Sequence, residues 1–179
     1  MDDRNLINRI RQDDSAAFDS LFRSWYPRLV RYAETMLHER ALAEEVAQEV
    51  MLAIWNGRSR LNITESVGGY LFRATRNRVL NELRHRKIHD RALPHLGAPA
   101  EAPAEAEDRL EDEQIQIALR AAIAELPERC REVFELSRVQ GLRYAEIAEA
   151  MDISVKTVET QMGKALKLLR DRMSGWLSR

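Results

Sequence analysis

The stretch from Leu93 to Glu113, LPHLGAPAEAPAEAEDRLEDE, decides how the rest of the chain can fold. It holds three of the five prolines and seven acidic residues against a single arginine, and almost nothing able to build a core. Such a segment cannot bury enough apolar surface to offset its ordering entropy, so it reads as a flexible, charge-extended linker. The 179 residues therefore divide into roughly 1–92 and 111–179, with the linker over 93–110. Each flank lies within the size range of a small helical domain.

Both flanks carry apolar residues at helical spacing. In the first, Phe18, Leu21, Phe22, Trp25, Leu29, Ala33 and Met36 form one stripe, which Pro27 should bend or restart. Ala43, Val46, Ala47, Val50, Met51 and Ile54 form a second stripe, ending near Trp55, Asn56 and Gly57. After the loop GRSRLNITES a third helix is expected from about Val67 to Lys87, with Phe72, Thr75, Val79 and Leu83 turned inward. In the second flank, Leu119, Ala122, Ile123 and Leu126 mark a helix stopped by Pro127; Cys130, Val133, Phe134 and Ser137 mark another, ending by Gly141. No segment alternates as a strand does. With only seven glycines and an abundance of Ala, Leu, Glu and Arg, the fold class is all-α.

The last helices are the most informative. In GLRYAEIAEAMDISVKTVETQMGKALKLLR, Ile147, Ala148 and Met151 belong to the buried side of a short helix, and Asp152 and Ile153 form a turn. Ser154 is suited to cap the helix that follows. There Val155, Val158, Met162, Ala165, Leu166 and Leu169 share one face, opposite Lys156, Thr157, Thr160, Gln161, Lys164 and Lys167. Lysines neutralise phosphates, whereas threonine and glutamine reach base edges in a major groove. A solvated amphipathic helix would show the polar face alone. Here spacing, turn, cap and polar face coincide, as in a helix-turn-helix.

A net charge of −1 conceals a second basic surface. Arg73, Arg76, Asn77, Asn81, Arg84 and Lys87 fall on one side of the expected third helix. The arginines suit a phosphate backbone, and an asparagine suits a base, including one extruded from its stack. The neighbouring histidines His85 and His89 fit solvent or phosphate better than catalysis. In ERALAEEVAQEVMLAIW, the side opposite the apolar stripe presents Glu45, Gln48, Glu49, Leu52 and Asn56. An exposed leucine among acids and amides suits a contact with another protein. Neither a phosphate-binding glycine loop nor a nucleophile–histidine set is present, and the Glu34/His38 and Glu45/Glu49 pairs lack the repeated Glu-x-x-His of di-metal bundles. Neither an enzyme nor a metal or cofactor is expected. The lone Cys130 reads as core, and without an internal disulfide, a signal peptide or a membrane-spanning run a cytoplasmic protein is expected.

These motifs, in this order, resemble bacterial RNA polymerase sigma factors of the extracytoplasmic-function class. AEEVAQEVMLAIW looks like the helix of region 2.2, which in that family docks on the β′ clamp of the polymerase. GGYLFRATRNRVLNELRHRKI is similar to regions 2.3 and 2.4, which open and read the −10 element. LPERCREVFELSRVQGLRYAEIAEAMDISVKTVETQMGKALKLLR resembles region 4, which binds the β flap and reads the −35 element. The resemblance implies core-polymerase contacts at Glu45, Gln48, Glu49, Leu52 and Asn56. It implies a flipped-base contact at Asn81, with Arg73, Arg76, Asn77, Arg84 and Lys87 along the backbone. At −35 it implies Glu159, Thr160 and Gly163 facing bases, with Lys156, Thr157, Gln161 and Lys164 alongside. Partners would be core polymerase, promoter DNA and an anti-sigma factor, without membrane insertion. The competing reading is a two-domain regulator with a helix-turn-helix of the response-regulator type. It requires an α/β receiver in front, and residues 1–92 show neither strands nor an acidic phosphorylation pocket.

Overall fold

The computed structural model describes residues 3–63, 66–90 and 110–177, and these are helical with no strand among them. The first half holds α1 (Asp3–Ile10), α2 (Ser15–Leu37), α3 (Arg40–Asn56), a 3₁₀ turn (Arg58–Arg60) and α4 (Val67–Asp90). The second holds α5 (Leu110–Ala124), α6 (Glu128–Arg138), α7 (Tyr144–Met151) and α8 (Val155–Leu177). Most of the segment expected as a linker, residues 93–109, lies outside the described residues.

Local chemistry accounts for the ends. Asp14 caps α2 by accepting the Ala17 amide at 3.0 Å, and His38 closes it in the left-handed region at φ 55°. Pro27 neither ends nor restarts α2: the helix runs through it. Pro27 is exposed, so the carbonyl it leaves without an amide partner is on the water side. The helix α1 was not foreseen. It is only eight residues long and is held by burying Leu6, Ile7 and Ile10 against the bundle, chiefly against α2.

The apolar stripes of α2 and α3 face each other, and α4 crosses both with Leu71, Phe72, Thr75 and Val79 buried. Thr75 satisfies its hydroxyl by donating to the Leu71 carbonyl at 2.9 Å. This core does not stop at the end of the first half. Val133, Leu136, Leu142, Ile147, Ala148, Ala150, Met151, Val158 and Met162 belong to the same cluster as Phe72 and Leu29, with α7 packed chiefly on α4. A separate small cluster joins α5, α6 and α8 through Ala122, Leu126, Cys130, Ala165 and Leu169. Cys130 is core, as its spacing suggests.

Candidate nucleic-acid interface

The helix-turn-helix is α7 and α8. Between them Asp152 adopts the left-handed region at φ 54°, which a short polar side chain tolerates. Ser154 Oγ accepts the Thr157 amide at 3.1 Å and pairs with the Thr157 hydroxyl at 2.8 Å, capping α8 as expected. Ile147, Ala148 and Met151 are buried, as are Val158, Met162, Ala165 and Leu169. Two members of the expected apolar face are not: Val155 is 42% exposed and Leu166 38% exposed. Val155 stands in the first turn, ahead of the surface α8 packs on. Leu166 lies beside the buried Ala165 and Leu169 but on the rim of the stripe.

On the opposite side Lys156, Glu159, Thr160 and Lys164 are all exposed, and a side chain at Gly163 would meet nothing within 4 Å. Thr160 donates its hydroxyl to the Lys156 carbonyl at 2.9 Å, so the same side chain can turn outward to a partner without leaving a buried group unsatisfied. Thr157 and Gln161, expected to be exposed, are half-buried. They border a cleft of about 320 Å³ whose other wall is Arg76, Asn77 and Arg84 of α4. Gln161 Oε1 also accepts the Cys130 thiol at 3.0 Å.

The basic side of α4 is only partly as expected. Arg73, Asn77, Asn81, Arg84 and Lys87 are exposed, and Asn81 Oδ1 accepts from Arg84 Nη1 at 2.8 Å. Arg76 departs from the expectation of an open phosphate contact. Its Nε donates to Glu132 Oε1 at 2.7 Å and its Nη2 to Oε2 at 3.4 Å, from α4 to α6. Burial works to lower the pKa of the guanidinium, but the Glu132 carboxylate outweighs it and the net shift is upward. Tyr32 of α2 donates its hydroxyl to the same Oε1 at 2.6 Å, and burial together with that carboxylate pushes the phenol well above its ordinary range. Glu132 was missed by sequence reading. Its partners lie 56 and 100 residues away, so no local pattern marks it.

The outer side of α3 matches its expectation residue for residue. Glu45, Gln48, Glu49, Leu52 and Asn56 are all exposed, while Ala43, Val46, Ala47, Val50, Met51 and Ile54 are all buried. Leu52 is 58% exposed. Glu49 takes an ion pair from Arg78 of α4 at 2.7 Å, and Gln48 approaches the Tyr26 hydroxyl at 3.4 Å. Among the described residues no group of three or more His, Cys, Asp or Glu side chains could hold a metal ion.

Comparison with known proteins places the two halves separately. The family described as sigma-70 region 2 matches residues 21–88, and that described as sigma-70, region 4 matches residues 116–169. The chain is similar to the ECF RNA polymerase sigma factor RpoE of Cereibacter sphaeroides, 30% identical over 171 residues covering 94% of this chain and 93% of that protein. It is similar to the RNA polymerase sigma-H factor of Pseudomonas aeruginosa, 26% identical over 175 residues covering 91% and 89%. Among solved structures it resembles CnrH in complex with the cytosolic domain of CnrY, with a TM-score of 0.68, 20% identity and 97% of each chain covered. It also resembles the sigma factor RpoE in complex with the anti-sigma factor NepR from Bartonella quintana, with a TM-score of 0.66, 19% identity and 88% and 96% coverage. At those identities the structural likeness speaks to the fold.

Proposed function

The chain belongs to the extracytoplasmic-function class of RNA polymerase sigma factors, and from that premise we propose how its surfaces divide the work of starting transcription. A sigma factor directs the polymerase to promoters and is not itself an enzyme. The first half, residues 1–92, docks on core polymerase through α3 and engages the −10 element through α4. The second half, residues 111–179, anchors on the −35 element through α8. Residues 93–110 connect the two and offer negative charge to a polymerase groove built for RNA.

The observation that carries this reading is the outer face of α3. Five side chains named from sequence as the docking set are exposed together, with a large aliphatic residue at their centre. A partner docked on this face would cover Leu52 together with the four polar side chains around it. No described helix is long and apolar enough to cross a membrane. An anti-sigma factor is a natural further partner, since the structurally similar sigma factor RpoE of Bartonella quintana is seen in complex with the anti-sigma factor NepR. The direct experiment adds purified chain to core polymerase and looks for promoter-specific transcripts; core alone giving the same transcripts would refute the assignment.

Two substitutions separate reading from anchoring at −35. Thr160→Ala is expected to alter base preference at one upstream position, since a misread base costs about 1–3 kcal/mol. Lys164→Ala is expected to weaken all upstream sequences alike and to lower the salt slope by about one unit, as for one lost phosphate contact. A promoter-library selection at two salt concentrations checks both; identical behaviour would remove the distinction.

On α4, Asn81 carries donor and acceptor on one short side chain amid exposed Arg73, Arg84 and Lys87. Asn81→Ala is expected to keep core binding and −35 binding but to lose discrimination at a single −10 base. The loss should persist on a template already melted there, because it concerns reading and not unpairing. Normal discrimination would move the reading role to another element, with the loop between Arg58 and Ser66 the next to test.

A further inference from the structure

The helix α1 belongs to none of the docking, −10 and −35 surfaces. It lies ahead of residues 21–88, where the match to sigma-70 region 2 falls, so that match gives it no role. Its inward side, Leu6, Ile7 and Ile10, packs into the core. Its other side brings together Arg4 and Asn8, with Arg11 just past its end, at the i, i+4 and i+7 spacing of one helix face. All three are exposed.

These side chains form one wall of a groove of about 200 Å³. The other wall is Leu61, Asn62 and Ile63, which follow the 3₁₀ turn, together with Val67 at the start of α4. Beneath the rim Ile7, Leu61 and Val67 are buried. The rim itself is two arginines and two amides, and among the described residues no acidic side chain lines it. The acids nearest Arg11 in sequence are held elsewhere. Asp13 accepts from Arg58, whose guanidinium lies over the Trp55 ring at 4.3 Å. Asp14 accepts the Ala17 amide at 3.0 Å and Arg9 Nε at 2.9 Å, and these bonds hold its carboxyl below the ordinary value. Asp3 borders a neighbouring cavity beside Trp25 and Arg28, which Arg4 also reaches, so Arg11 is the arginine that belongs to the groove alone.

Arginines hold phosphates and amides meet sugars or base edges, so a rim of this kind suits a nucleic-acid backbone. A docked protein would ask instead for an exposed apolar centre, and the aliphatic residues here lie under the rim. The groove also stands where a strand would arrive. Arg73, the first −10 residue on α4, follows Val67 by six positions, about 9 Å along the helix axis. A single strand laid along α4 and leaving past Arg73 meets the groove next. Resting on the −10 assignment of α4, we propose that the groove between α1 and residues 61–63 carries the phosphate backbone of the displaced strand where it leaves the −10 element. Arg11 is its principal phosphate ligand, and the hold is independent of base sequence.

The test uses holoenzyme assembled from core polymerase and the full chain. Its DNA is a promoter recovered by the library selection, with the −10 element and its flanks held single-stranded. On that strand a neutral methylphosphonate replaces one phosphate at a time. With the parent chain, a replacement just outside one end of the −10 element should weaken binding. With Arg11→Ala the same replacement should have no further effect, because both changes remove one contact. Arg11→Ala should also lower the salt slope by about 0.7, so that its deficit shrinks about 2.6-fold between about 50 and 200 mM salt, as for one single-strand phosphate. Base preference should stay that of the parent. Arg23→Ala removes an exposed arginine of α2 outside the groove and should change none of these readings. Melting temperature and core affinity should be unchanged, since Arg11 is exposed. Should Arg11→Ala lose stability, Asn62→Asp, which sets a carboxylate on the rim, decides by the same scan. An unchanged salt slope, or a methylphosphonate effect outside the −10 element as large in the variant as in the parent, would overturn the proposal. So would a loss of core binding, which would make polymerase the occupant. Failure of the underlying α4 assignment looks different: the parent would feel no replacement within the −10 element, and Asn81→Ala holoenzyme would discriminate normally.

Discussion

Leu52→Arg abolishes binding to core polymerase and leaves the folded chain unchanged: that is the expected result with the largest functional effect. Leu52 is more than half exposed and belongs to no cluster of the core, so its removal costs the fold almost nothing. At an interface the same side chain is an anchor, and truncating an anchor typically costs about 2 kcal/mol or more. Arginine does worse than truncate, because it asks for a charge to be desolvated against an apolar pocket. Core binding measured by fluorescence anisotropy, with melting temperature and circular dichroism as controls, checks it. A folded Leu52→Arg protein that bound core as the parent does would place the docking face elsewhere on the first half. Glu49 is a weaker member of the set, since it already has Arg78 as a partner.

The residues that could be read correctly from sequence are those whose environment is set within one helix. All six apolar positions of α3 and its five outward ones fell where period alone places them, because α3 has one buried side and one wet side. The same holds for the helix-turn-helix, where Ser154 caps by contact with Thr157 only three residues on. The short α1 was overlooked, although Leu6, Ile7 and Ile10 stand at helical spacing on one face; the helix is held by their finding a surface.

What remained invisible was whatever depends on one half meeting the other. Arg76, Thr157 and Gln161 each obey the helical period that puts them outward, and each is covered by an element far away in sequence. Outward on a helix is not the same as open to water. Gly69 makes the same point from the other side. A glycine in the first turn of a helix is costly unless something needs its missing side chain, and here α7 does. At Pro27 the helix does not restart: contacts of α2 with α1, α3 and α4 carry it through the proline as one element.

Phe72→Ala is the substitution expected to cost most in stability. The ring is fully buried and stands edge-on to Trp25, with centroids 6.1 Å apart at 74°, and to Tyr32, with centroids 5.2 Å apart at 85°. Arg28 lies over Trp25 at 4.1 Å and over Phe72 at 5.8 Å, and its guanidinium is drawn below its ordinary pKa chiefly by burial. Removing the ring takes away its own buried surface and also the partner against which Tyr32 and Trp25 are positioned. Large-to-small changes of this kind cost about 3–5 kcal/mol. For a chain of this size that corresponds to a fall in melting temperature on the order of 10 °C. The consequence reaches the second half, because Tyr32 is also the hydroxyl that holds Glu132. A ring free to move no longer presents that hydroxyl, and the buried carboxylate then relies on Arg76 alone. Calorimetry on Phe72→Ala should therefore show a lower transition, and hydrogen exchange should show faster opening in α6 as well as α4. Phe72→Leu, which keeps most of the volume but loses both edge-on contacts, should fall between the two. A melting temperature within about 2 °C of the parent for Phe72→Ala would mean that the core closes around the missing ring, contrary to the usual cost of such a cavity.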